Sequence, residues 1–272
     1  MTIGRFAPSP TGPLHLGSLV AAVGSWLFAR HDNGRWLVRM EDLDTPRVMP
    51  GSADEILRAL ERYALTWDGA VVHQSQRIAL YDAALNELRA TNRVFDCACS
   101  RADLQRAASA PVGEEAIYPG TCRNGIPDGR PPRAVRFRGN GETDDVVVKR
   151  ADGVFAYQLV VVVDDAAQSV TQVVRGADLL SSMPRQIALQ RALGYPTPEY
   201  VHLPLVLGPE GTKLGKRDGA LPLPSLDDRR VAETLRDALA FLGVQVALAK
   251  PEQMLAEALA IKPWRVRIAE AT

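Results

Sequence analysis

The chain opens on a short apolar run, Ile3 to Ala7, that predicts a strand; Pro8 to Pro13 follows as a loop because its prolines and glycine forbid regular structure. From Leu16 the spacing changes. Leu19, Val20, Val23, Trp26 and Leu27 recur with the period of an amphipathic helix, which Asn33-Gly34 closes. Trp36 to Met40 predicts a second strand running into the acidic Glu41, Asp42 and Asp44, and Ala53 to Ala64 a helix with Leu57, Leu60 and Ala64 on one face. Strands alternating with helices predict an α/β, doubly wound, mostly parallel sheet covered on both faces, with ligands beyond the carboxyl ends of its strands. Loop residues just after strands, His15 among them, are therefore the place to look for chemistry.

After a helix at Gln76 to Thr91 the alternation lapses. Phe95 to about Lys149 holds every cysteine, many turn-forming prolines and glycines, and two strand-like runs, Ala134 to Arg138 and Asp145 to Lys149, and reads as an insertion. Within Phe155 to Asp165 the mostly β-branched Leu159 to Val163 predicts a buried strand. Val170 to Arg175 predicts another strand, Pro184 to Leu193 a helix and Tyr200 to Leu207 a final strand, while beyond Pro224 only helical spacing remains, as in Val231, Leu235, Leu239 and Leu242. The expected organisation is a core in two halves, residues 1–94 and 151–217, split by an insertion at 95–150 and followed by a small helical region at 218–272.

Composition narrows the class without naming a function. With 272 residues, 46% hydrophobic and 24% charged, the chain can bury a core, which excludes collagen-like, disulfide-scaffold and wholly disordered readings. Lys plus Arg and Asp plus Glu balance at 32 each, so any attraction for nucleic acid must come from local patches. No apolar stretch approaches the roughly 20 residues of a bilayer span, and the first residues lack a basic-then-apolar leader, so no membrane is expected and the expected compartment is the cytoplasm. Three cysteines cannot all pair internally and fit a reducing compartment.

Two constellations carry candidate chemistry. In Pro13-Leu14-His15-Leu16-Gly17-Ser18 a histidine opens a helix, where a phosphate is favoured, and Gly17 removes a side chain that would block a flat ligand. Taken alone, such a histidine can equally be a helix cap. Lys213-Leu214-Gly215-Lys216-Arg217 sets three cations in a loop after a strand, which alone reads as a solvated charge run. Their order and separation, about two hundred residues apart, are far harder to obtain by chance. Gly-x-x-x-x-Gly-Lys, His-Glu-x-x-His and Gly-x-Ser-x-Gly signatures are all missing from the sequence.

Together these segments resemble the class I aminoacyl-tRNA synthetases, whose signatures His15-Leu16-Gly17-Ser18 and Lys213 to Arg217 match, with Gly215 where the family usually has serine. The glutamyl branch is indicated by Arg5-Phe6-Ala7-Pro8-Ser9-Pro10-Thr11-Gly12, by Arg39 to Asp44, and by Val163-Asp164-Asp165 followed by Val174-Arg175-Gly176. Glutamate-charging members continue into a large anticodon-binding domain, whereas only residues 218–272 follow here; the likeness therefore narrows to the truncated paralogues without that domain, which attach glutamate to queuosine in the anticodon of tRNA(Asp).

The resemblance implies a Rossmann-like catalytic core and a two-step reaction: the α-carboxylate of L-glutamate attacks the α-phosphate of ATP, and an RNA hydroxyl attacks the resulting anhydride. It implies catalytic roles for His15, Lys213 and Lys216, ATP binding by His15, Gly17, Ser18 and Lys216 with Mg2+, and glutamate binding by Arg5, Phe6, Ala7, Pro8, Ser9, Glu41, Tyr157 and Arg175. The bland alternative for the charged members is surface ion pairing, and for Tyr157 a core aromatic. The family has helix where Leu159 to Val163 reads locally as strand. It also implies a structural Zn2+ held by Cys97, Cys99, Tyr118 and Cys122; the residues alone leave Asp96 or Glu115 as rival fourth ligands, or plain buried thiols. The expected partners are L-glutamate, ATP and queuosine-bearing tRNA(Asp), with the chain a monomer.

Arg123, Arg130, Arg133, Arg136 and Arg138 form a local basic stretch that either holds RNA phosphates or decorates an exposed hairpin. Rival functions are a minimal glutamyl-tRNA synthetase charging a 3′ end, a nucleotidyltransferase of similar fold, and a non-catalytic RNA-binding module.

Overall fold

The computed structural model describes residues 1–100, 102–104, 118–141, 143–208, 223, 227–261, 266 and 268. In chain order the main elements are β1 (Ile3–Phe6), α1 (Leu16–His31), β2 (Arg35–Met40), α2 (Ser52–Arg62), β3 (Val72–His73), α3 (Ile78–Ala90), β4 (Val94–Cys97), β5 (Ala134–Phe137) and β6 (Val146–Lys149). They continue with α4 (Tyr157–Ala167), β7 (Gln172–Gly176), α5 (Met183–Ala192), β8 (Glu199–Leu203), α6 (Asp228–Phe241) and α7 (Pro251–Ala260). These elements form two compact units, one of residues 1–75, 170–180 and 198–272, the other of residues 76–169 and 181–197.

The first unit is α/β. Strands β1, β2 and β3 pair in parallel in that order, and β7 pairs in parallel with β8. The two sheets abut at β1 and β7, where the Thr171 N–H donates to Ile3 O. The chain thus leaves β1 toward β2 on one side and lies beside β7 on the other, the topological switch at which open α/β sheets bind ligands. Helix α1 packs over β1 and β7, with α6 and α7 against it, so Leu19, Val20, Val23 and Leu27 are buried, each contributing about 1.5–3 kcal/mol. Trp36, fully buried in β2, donates its indole N–H to Ser25 Oγ of α1 and stacks on Phe6. Gly34 makes the return from α1 to β2: a Cβ there would lie 2.2 Å from Thr2 O, too close for any side chain. Helix α2 stops at Arg62 and Ala64 adopts φ 55, so the expected face shifts to Ile56, Ala59 and Leu60.

The second unit sets an antiparallel sheet, in the order β4-β5-β6, beside helices α3, α4 and α5. Residues 157–167 are helix, so the strand expected from local pattern at Leu159 to Val163 is corrected and the helix implied by resemblance is what forms. The physical reason is burial all round: Leu159 through Val163 are at most 4% exposed, and a helix apolar on every face is stable when packing surrounds it. Asp164 of α4, fully buried, accepts from Arg77 Nε at 2.6 Å and from the Tyr81 hydroxyl at 2.9 Å. The last strand is shorter than its apolar run because Pro204 cannot continue the ladder. No described helix is long and apolar enough to cross a membrane.

Candidate active site and cysteine cluster

In the first unit a cleft of about 390 Å³ opens at the carboxyl ends of β1, β7 and β8. Its floor and one wall are Phe6, Pro8, Ser9, His15, Gly17 and Ser18, which the sequence reading had singled out. The other wall, Gly176, Asp178 and Leu203 to Val206, together with Thr11 and Arg47, was not expected. These residues reach the cleft through strand pairing and loop return, which no local pattern records.

The loop after β1 is held by the backbone of neighbouring segments. Glu41 N–H donates to Pro8 O, Met49 N–H to Pro10 O, and the Ser52 hydroxyl both accepts from Gly12 N–H and donates to Gly12 O. His15 is the N-cap of α1, its Nδ1 accepting from Ser18 N–H at 3.4 Å. Cap and functional group are thus compatible readings of one residue: an accepting Nδ1 bears no proton, which leaves Nε2–H as the donor of a ring that lines the cleft. The positive end of α1 opens there too.

Arg5 and Arg175 are buried on β1 and β7, 4% and 5% exposed, and Glu41 follows β2 with Arg39 Nη2 3.7 Å from its carboxylate. These three and Ala7 belong to the same unit as the cleft but are not among its lining residues. Tyr157 opens α4 and belongs to the second unit. Lys213 and Lys216 lie outside the described residues. On β8 the sequence reading missed His202, which pairs in register with Arg175 and accepts from its Nε at 3.3 Å. Burial first, and then the Arg175 charge, hold the His202 imidazole below its usual pKa, so it is neutral at pH 7.

In the second unit Cys97, Cys99 and Cys122 bring their sulfurs within 4.8 Å of one another, Cys99 and Cys122 at 3.7 Å. The Tyr118 oxygen lies 3.5 Å from Cys97 Sγ and 3.9 Å from Cys99 Sγ, and accepts from Cys122 N–H at 2.8 Å. A tetrahedral zinc with Zn–S near 2.3 Å requires S···S edges of about 3.8 Å, so this donor set has the size and softness for such an ion. Arg136, buried, donates to Cys97 Sγ at 3.4 Å and lies 3.9 Å above the Tyr118 ring. Burial alone would raise the Cys97 pKa, but its hydrogen bond with Tyr118 and those from Cys99 N–H and Arg136 outweigh it and hold that thiol below its usual value. Burial and the Cys122 contact push Cys99 up to about 11, and burial and Cys97 push Tyr118 upward. Of the rival ligands, Asp96 is half exposed and pairs with Arg89, and Glu115 lies outside the described residues.

The basic stretch is largely spent on the fold. Arg123 pairs with Asp145 and donates to Gly139 O, Arg130 meets Asp103, Arg136 also donates to Asp145 O, and Arg138 donates to Arg123 O above the Phe95 ring. Only Arg133 of the five is exposed.

Comparison with known proteins accords with this geometry. A family model described as tRNA synthetases class I (E and Q), catalytic domain, matches residues 2–125 and 134–260, which makes the chain a class I synthetase catalytic domain. The glutamyl-Q tRNA(Asp) synthetase of Geobacter sulfurreducens is 57% identical over 264 residues, 89% of this chain and 84% of that protein; the one from Aromatoleum aromaticum is 52% identical over 259 residues, 89% and 81%. A crystal structure of glutamate-tRNA synthetase from Elizabethkingia anophelis superposes with TM-score 0.68 at 32% identity; it covers 80% of this chain, and this chain spans about half, 53%, of that one. The chain belongs to the glutamyl-Q tRNA(Asp) synthetase family.

Proposed function

We propose that this protein activates L-glutamate with ATP and transfers the glutamyl group to queuosine in the anticodon of tRNA(Asp). The observation that carries the reading is identity above half with glutamyl-Q tRNA(Asp) synthetases over more than four fifths of their length. A synthetase of this kind acts in the cytoplasm, and as a monomer.

In the first step a glutamate α-carboxylate oxygen attacks the α-phosphorus of ATP, the bond to the bridging oxygen breaks, and pyrophosphate leaves. In the second an RNA hydroxyl oxygen attacks the glutamyl carbonyl, AMP leaves, and the hydroxyl proton passes to the released phosphate or to solvent. No protein nucleophile is needed, so the protein contributes position and charge. His15 Nε2–H and the first turn of α1 donate to phosphate oxygens, and Gly17 and Ser18 at that turn leave room for the nucleotide. Lys213 and Lys216 supply the cations that meet the charge spreading over the phosphates. Mg2+ accompanying ATP shares that charge. Arg5 and Arg175 answer the two carboxylates of glutamate and Glu41 its ammonium, while the backbone of Phe6 to Ser9 shapes the pocket.

In the second unit Cys97, Cys99, Tyr118 and Cys122 hold zinc, which closes an insertion whose own apolar cluster is small. Glutamate-dependent pyrophosphate exchange with queuosine-bearing tRNA(Asp) present tests the activation step. Exchange stimulated by glutamate and not by glutamine is expected; exchange indifferent to the amino acid would defeat the reading.

A further inference from the structure

Arg175 sits on β7 with its guanidinium fixed from three directions. Its Nε donates to His202 Nε2 at 3.3 Å, its Nη2 donates to Leu179 O at 3.1 Å, and its plane lies 5.1 Å from the Tyr200 ring. Tyr200 and His202 are themselves stacked, 7° from parallel. Arg175 and His202 are 5% and 7% exposed, and the register of β7 against β8 sets them directly opposite. Gly176 and Asp178, just beyond Arg175, line the cleft, as do Leu203 and Pro204, just beyond His202.

We propose that His202 is a positioning residue for glutamate recognition, acting through Arg175: its imidazole fixes the plane and direction of the guanidinium that meets a substrate carboxylate. This rests on the reading of Arg175 as a glutamate ligand. An arginine held only by its aliphatic stem samples many rotamers, and a bidentate contact with a carboxylate tolerates few of them. An imidazole acceptor at Nε2 restricts those rotamers, and because it is neutral it does so without cancelling the positive charge the substrate needs. A carboxylate in its place would hold the arginine as firmly but would oppose the anionic ligand. The downward pKa shift of His202 agrees with an imidazole kept neutral beside a cation, with Arg175 and Asp178 the charged groups that act on it and Tyr200 stacked beside it.

The test is steady-state glutamate-dependent pyrophosphate exchange for the whole protein and for Arg175→Ala, His202→Ala, His202→Gln and the double variant R175A/H202A, with KM for glutamate and ATP determined separately. His202→Ala should raise the glutamate KM about tenfold and leave the ATP KM within about twofold, the pattern of a lost orienting hydrogen bond to a charged group. His202→Gln, which places an amide oxygen near the imidazole acceptor, should recover most of the loss. In the double variant the His202 change should add nothing to Arg175→Ala. An unchanged glutamate KM in His202→Ala, with Arg175→Ala strongly impaired, would overturn the positioning role alone; Arg175→Ala at wild-type KM would overturn the reading beneath it. A parallel rise in both KM values, or no recovery in a folded His202→Gln, would make His202 merely structural.

Discussion

His15 shows how a single side chain can satisfy two demands. By accepting from Ser18 N–H it caps α1 and leaves Nε2–H as donor in the cleft, so its removal should cost both stability and rate. His15→Asn keeps a good cap but loses the ring donor; the expected outcome is a melting temperature close to wild type with glutamate activation down tenfold or more, roughly one charge-assisted contact. Lys216→Ala should lower activation to a similar degree without a change in melting, and unchanged activation would remove that loop from the mechanism. His202 adds a pH dependence. Its folded pKa is depressed, so the neutral ring's contribution is present above the unfolded value near 6.5 and is lost as pH falls through the folded value. Denaturant melts between pH 7 and pH 5 should show a smaller loss of stability in His202→Gln than in wild type. Among these residues His15 was legible because it precedes a helical period, whereas His202 was not: its importance comes from the register of β7 against β8, a pairing between segments that no spacing along the chain encodes.

Among the elements, α1 was readable from its apolar period of about 3.6, and β1 and β2 as short runs bounded by loop signals, buried almost throughout as strands of a covered parallel sheet are. Helix α4 was not, since five consecutive buried apolar residues carry no period, and only surroundings that cover every face decide for helix. The arginines of 123–138 misled in a related way: counted along the chain they form a patch, yet Asp145 and backbone carbonyls, brought near by β5 and β6, absorb most of it. Two predictions belong here. Asp164→Asn should destabilise the second unit by about 3–5 kcal/mol, the cost of breaking a buried charge pair, since the amide offers one neutral acceptor where Arg77 and Tyr81 each now meet a carboxylate oxygen; thermal melting reads this directly. Arg136→Gln should weaken zinc retention at least tenfold in a chelator competition, because Cys97 loses its donor and the site its neighbouring positive charge. A preparation with no zinc per chain would contradict the metal reading itself.

At the scale of the whole molecule, a sheet with a cleft at its switch point is joined in one chain to a cysteine-bearing unit, and family membership ties that arrangement to the chemistry of glutamate on RNA. The general architecture was visible in the order of strand and helix patterns, but the acceptor was visible only through resemblance, since neither a neutral overall charge nor the occupied arginines marks where a nucleobase would sit. The acceptor is therefore what most needs measuring. ATP-dependent transfer of labelled glutamate should be followed on tRNA(Asp) with and without queuosine and on tRNA(Glu), and the label mapped by nuclease digestion. The account predicts label in the anticodon of queuosine-bearing tRNA(Asp), absent when that base is absent; label at the 3′ end of tRNA(Glu) instead would contradict it and make the protein a minimal charging enzyme.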